Sequence, residues 1–181
     1  MANSNAWAVF IIDPGETTGV CKALVDLRQK TVRACLRRAY LKGNLVTSEV
    51  RGTYEEQAWI IAPMVLDFFY NATFERAAVP QGNWSFIIER FNPNRQQHAN
   101  HIPLEIIAGV QTLLRTPGGS NWLNGEYDNV RRFQDPSQAM GFVSDDMLRR
   151  WGWGWEGRSS HERDTIRHLG YVVDSMLEGR Y

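Results

Sequence analysis

Trp7 to Ile12 is an uninterrupted apolar run rich in β-branched and aromatic side chains, the pattern of a strand buried on both faces. It ends at Asp13, and Pro14-Gly15 then makes a tight turn into a second strand, Thr17 to Asp26. The polar turn Leu27 to Lys30 leads to a third strand, Thr31 to Leu41, which completes an antiparallel meander. Thr53 and Glu56 have capping-box spacing and open a helix to about Tyr70, with a kink or early break expected at Pro63. Asn71 to Asn83 is a polar connection, and Trp84 to Glu89 is a strand of central-sheet character ending in a second carboxylate.

Pro103 fits the first turn of a helix whose buried stripe is Ile106, Ile107, Val110, Leu113 and Leu114, and Pro117-Gly118-Gly119 stops it. Tyr127 to Gln134 reads as a short fifth strand, and Asp135-Pro136 starts a helix running to about Trp151. Trp151-Gly152-Trp153-Gly154-Trp155 is a loop. Ser159 and Glu162, again at capping-box spacing, open a last helix with the stripe Ile166, Leu169, Val173, Met176 and Leu177. Strands joined through helices pair in parallel and need cover on both faces. The expected fold is therefore α/β: a five-stranded mixed sheet, three antiparallel strands then two parallel, with helices on both faces. A single domain spanning residues 1–181 is expected.

Composition narrows the function classes. No apolar run has the length of a membrane span, and the N-terminus lacks a basic region followed by an apolar signal segment, so a cytoplasmic protein is expected. Cys21 and Cys35 fall in adjacent strands and are read as free thiols rather than a disulfide. The 20 basic and 20 acidic residues balance, which is not the signature of a non-specific nucleic-acid binder. Only Lys22, Lys30 and Lys42 of the basic set are lysines; arginine suits bidentate phosphate contacts, although genome base composition produces the same bias.

The chemistry lies in four residues. Asp13 and Glu89 end two strands that bring their carboxylates to one edge of the sheet if the strands are neighbours. His161 and Asp164, three apart, share a face of the last helix. Carboxylates gathered this closely repel one another, and a cation offsets the repulsion; an oxygen-rich set suits Mg²⁺ or Mn²⁺ rather than zinc. Singly, each has a plainer reading: Asp13 as a turn cap, Glu89 as an ion-pair partner of Arg90 or Arg95, His161 and Asp164 as a solvated first helical turn.

Asp13-Pro-Gly-Glu-Thr-Thr-Gly19, Phe86-Ile-Ile-Glu89 and the run His161 to His168 together resemble the RuvC family of Holliday-junction resolvases, and the phage-encoded members in particular. The resemblance implies an RNase H-like fold, with Asp13, Glu89 and Asp164 as metal-binding carboxylates and His161 in place of a fourth ligand. It implies two Mg²⁺ or Mn²⁺ ions per active site and hydrolysis of a DNA phosphodiester to a 5′-phosphate and a 3′-hydroxyl. It further implies a homodimer that nicks a four-way junction symmetrically. Gly109 resembles a family glycine that permits close helix packing, and Phe91 lies where the family presents an aromatic to the junction. Gln138-Ala139-Met140 departs from the family, which places a lysine there.

Arg90, Arg95, Gln96, Gln97 and His98 follow Glu89 in a turn-rich loop suited to phosphate contacts, and Arg158, Arg163 and Arg167 flank the start of the last helix. Arg33 and Arg37 read as a solvated strand edge. The tryptophan loop suits packing, or stacking on unpaired bases. Two alternatives stand beside junction resolution: a nuclease of the same fold acting on flaps, bubbles or RNA–DNA hybrids, and a non-catalytic DNA-binding protein.

Overall fold

In chain order the elements are β1 (Ala6–Asp13), β2 (Thr17–Asp26), β3 (Thr31–Leu36), β4 (Ala39–Lys42), β5 (Val46–Arg51), α1 (Tyr54–Phe74), β6 (Trp84–Glu89), α2 (Ile102–Arg115), α3 (Tyr127–Val130), β7 (Arg131–Gln134), α4 (Pro136–Phe142), α5 (Asp145–Trp151) and α6 (Ser160–Leu177). They come from a computed structural model that describes residues 5–28, 31–36, 39–42, 46–74, 79–91, 101–115, 127–151, 153 and 158–180.

β1 is central: β2 pairs antiparallel along one edge and β6 parallel along the other, with β7 parallel beyond β6. β3 and β5 share the far edge of β2 end to end, β3 against Leu24 to Asp26 and β5 against Thr17 to Lys22. The seven strands thus fill six lateral positions, mixed as the sequence predicts, with β3 and β5 sharing one of them and β4 outermost, paired back on β3. The expected single strand from Thr31 to Leu41 is corrected by this arrangement: β5 already occupies the rest of the β2 edge, so the chain leaves it after Arg33.

Strand alternation sorts the core into two layers. Phe10, Ile12, Val20, Leu24, Phe86 and Ile88 face α1 and α2, where Phe10 meets Phe68 and Phe86 edge-on, both at 5.8 Å between ring centroids. Val9, Ile11, Cys21, Ala23, Val25 and Ile87 face the other way, toward α6. Cys21 is a free thiol in this second layer, pushed up to about 12 by burial, which makes it inert. Trp153 belongs to the same layer, its ring 5.0 Å from that of Trp151, so the packing reading holds for Trp153; Trp155 lies outside the described residues.

Three other expectations are corrected. α1 runs unbroken through Pro63 to Phe74. A helix-interior proline costs about 3 kcal/mol, but Ile61, Val65, Phe68 and Phe69 are all buried on that helix, at roughly 1.5–3 kcal/mol each. Tyr127 to Gln134 is half helical: β7 begins only at Arg131, after Asp128-Asn129, which are poor strand formers. The helix expected from Pro136 to Trp151 is two helices, because Val143 is extended and Ser144 caps α5 through its Oγ, 3.3 Å from the Met147 N–H. Among the described residues no helix is long and apolar enough to cross a membrane.

α1 and α2 approach at Gly109, where an added Cβ would lie 2.8 Å from the Ala58 Cβ. Gly109→Val is expected to lower stability by about 1–3 kcal/mol in chemical denaturation. Gly82→Ala, which meets nothing within 4 Å, should leave the denaturation midpoint unchanged.

Candidate active site

The parity of the strands decides where the strand-end carboxylates go. Val9, Ile11 and Asp13 alternate onto the α6 face, as do Ile87 and Glu89. Ile12 is in register with Ile88, so Asp13 and Glu89 are lateral neighbours at the C-terminal edge of two parallel strands. The row extends both ways: Gly19 is opposite Asp13, Glu49 opposite Gly19, and Gln134 beside Glu89. Four of its five residues are polar, at the sheet edge where the α6 layer begins.

Gly19 lets that layer come close. A Cβ there would stand 2.5 Å from the His161 carbonyl oxygen and 3.1 Å from its Cβ, so only glycine accepts the first turn of α6 at this height. The turn itself is built by a capping box: Ser159 Oγ accepts from the Glu162 N–H at 3.2 Å, and Glu162 Oε2 accepts from the Ser159 N–H at 3.0 Å. β5 ties it down from the side, where the Thr47 hydroxyl donates to Glu162 Oε1 at 2.7 Å and accepts from Arg158. The loop after Asp13 is held by Gln57 of α1, fully buried, which donates to the carbonyls of Glu16 and Gly52, both at 3.1 Å, and accepts from the Thr18 hydroxyl at 2.5 Å.

Asp13 and Glu89 stand side by side at this edge with His161 and Asp164 of α6 nearby, and each acid has a partner of its own. His161 Nδ1 lies 3.2 Å from Asp13 Oδ2. His168 Nε2 lies 2.6 Å from Glu89 Oε2. Arg167 bridges Asp164 and Asp145, at 2.6 Å from the latter. Among the described residues no three His, Cys, Asp or Glu side chains converge as a ready-made cation cage. The electrostatics are those of crowded acids. Burial pushes Asp13 up to about 7, the Glu89 and Asp164 charges add to the rise, and the hydrogen bond and charge of His161 oppose it. Asp164 is raised as well, by burial and by Glu89, against the pull of Arg167.

This donor set fits a hard divalent cation: carboxylates whose mutual repulsion a cation would offset, with one imidazole at the rim. Gln134 adds to the fit, since its amide is buried beside Glu89 with neither Nε2 nor Oε1 hydrogen-bonded among the described residues. Asp13, Glu89, Asp164 and His161 are the residues that would hold it.

The predicted DNA contacts divide. Arg90 is exposed at the rim, 3.6 Å from Asp135, and Phe91 is half-buried beside it. Arg95 lies outside the described residues, as do Gln96, Gln97 and His98. Arg158 and Arg167 are turned to Thr47 and to the acids, and Arg163 is half-buried on α6. Sequence reasoning assigned no role to Glu49, Gln57, Gln134 or His168. Only His168 carried a signal, standing seven residues after His161 on the same helical face.

No protein-family profile matches the chain, and no curated protein sequence matches it. Solved structures do. T. thermophilus RuvC in complex with a Holliday-junction substrate aligns at a TM-score of 0.57 and 16% identity, covering 96% of this chain and 97% of that one. A second Thermus thermophilus RuvC structure aligns at 0.56 and 17%, with the same coverage. The chain has the fold of RuvC. The mixed sheet with helices on both faces read from the sequence is that fold, and Glu89 ends a strand as expected.

Two outcomes test the site. The Asp13 carboxyl is raised from 3.8 to about 7 on folding, so the folded state holds the proton more tightly. Its contribution is most favourable below pH 3.8 and is lost as pH rises to about 7. At pH 8 in EDTA, Asp13→Asn is therefore expected to be more stable than wild type by about 1–3 kcal/mol in urea denaturation, with the gain vanishing near pH 4. Equal stability at pH 8 would mean that Asp13 is not held against its charge. Gly19→Ala should lift the first turn of α6 and lower stability by about 1–3 kcal/mol in urea denaturation.

Proposed function

We propose that the protein is a metal-dependent DNA endonuclease that cuts four-way junctions or other branched DNA. The observation that carries this reading is the meeting of Asp13 and Glu89, at adjacent parallel strand ends, with His161 and Asp164 on the first turns of α6. Chemistry of this kind needs hard cations beside a phosphodiester, and the site offers oxygen donors at the sheet edge. The fold shared with a RuvC bound to a Holliday junction supports the same choice.

A pair of Mg²⁺ or Mn²⁺ ions would supply an activated water and stabilise the departing 3′ oxygen. Asp13, raised chiefly by burial and next by the Glu89 charge beside it, is a carboxylate that a cation would relieve. His161 holds Asp13 Oδ2 from the more exposed side of the site, and Arg167 orients Asp164. Arg90 and Phe91 stand at the rim directly after Glu89, where a strand's phosphates and an unstacked base would lie. The protein acts as a homodimer in the cytoplasm, the host's if it is phage-encoded, placing two such sites on opposite strands of a junction. Retention of every acidic position argues against a purely structural, non-catalytic role.

End-labelled four-way junction, flap, bubble, RNA–DNA hybrid and linear duplex, each incubated with Mg²⁺ or Mn²⁺, form the test. Paired symmetric nicks confined to the junction are expected, with activity lost by at least ~10²-fold in Asp13→Asn. Cleavage spread over flaps and bubbles would replace junction resolution by a broader structure-selective nuclease. Wild-type rates in both Asp13→Asn and Asp164→Asn would remove the proposed site.

A further inference from the structure

α6 carries two histidines toward the strand-end acids, and they differ in a telling way. His161 is 40% exposed and meets Asp13; His168 is 1% exposed and meets Glu89. A side chain so enclosed cannot touch DNA or a solvated ion, yet its 2.6 Å contact with Glu89 Oε2 is the shorter of the two. It lies on α6 where that helix packs on the sheet, in a layer whose buried residues include Ile166, Leu169 and Val172 of α6 and Ile87 of β6.

The tautomer follows from the partners. A carboxylate oxygen accepts, so Nε2 carries the proton. Nδ1 is buried with no hydrogen-bond partner among the described residues, and an orphaned buried N–H is rarely tolerated, so Nδ1 is the bare nitrogen. His168 then donates through Nε2 to one oxygen of Glu89. Among the described residues no hydrogen bond or ion pair engages Oε1.

We propose that His168 is a positioning residue: its Nε2–H fixes the Glu89 carboxylate so that Oε1 is the oxygen presented to a divalent cation. This rests on the metal-dependent reading above. Residues that orient a ligand in this way change metal affinity by about 10–100-fold when they are removed. A histidine serving only as core filling would change stability and nothing else.

Gln retains a donor at the end of the side chain, whereas Phe fills the space without one. Mn²⁺ affinity is read from the electron paramagnetic resonance signal of the free ion in wild type, His168→Gln and His168→Phe, without DNA. The expected result is affinity lost by about 10–100-fold in His168→Phe and largely restored in His168→Gln. His168→Phe binding as tightly as wild type would overturn the role of His168 alone. A wild-type protein that binds no Mn²⁺ would overturn the metal reading and this role with it. Should His168→Phe fail to fold, the wild-type protein supplies a second readout, the imidazole ¹⁵N shifts of His168. A protonated Nε2 with a bare Nδ1 supports the assignment; a proton on Nδ1 and a bare Nε2 overturns it.

Discussion

The approach of the His161 backbone onto Gly19 governs the geometry of the acidic end of the sheet. A glycine inside a strand costs conformational entropy and leaves a gap in side-chain packing. Here the gap receives a helix terminus, at a distance that a single methyl group would close. Because Gly19 is opposite Asp13, the same contact that seats α6 also sets His161 against Asp13, and one helical spacing later sets Asp164 near Glu89. The capping box at Ser159 and the bonds from Thr47 fix the rotation of that first turn. Any residue larger than glycine at position 19 would move the helix and the whole constellation together.

Holding acids in this way opposes stability. Asp13 is ionised only against burial and against two neighbouring carboxylates, and Asp164 shares the difficulty. The fold offsets this with local partners: an imidazole for Asp13, another for Glu89 and a guanidinium for Asp164. Gln134 adds to the same row a buried amide with no hydrogen-bond partner among the described residues. Such concentration of unfavourable groups at one edge, beneath two well-packed apolar layers, is the usual mark of a site kept for chemistry rather than for folding.

Much of this was legible along the chain. The apolar run of β1 and the central character of β6 predict buried strands ending in carboxylates, and both capping boxes form as read. The errors lie where neighbours overrule local pattern. One long strand from Thr31 to Leu41 suits the residues in isolation, but the edge it needs belongs to β5. Pro63 argues for a break that the buried face of α1 outweighs. Ser144-Asp145-Asp146 carried a helix-start signal that the reading of one continuous helix passed over.

By itself the sequence determined the class of fold and most of its elements, because periodicity and capping are local properties. Tertiary structure alone decided which groups touch. That Glu49, Gly19, Asp13, Glu89 and Gln134 form one row depends on register between strands far apart in sequence. That His168 is the partner of Glu89 depends on the depth at which α6 sits on the sheet. Neither is written in any short segment, since each is set by long-range pairing and by the absence of a side chain at Gly19.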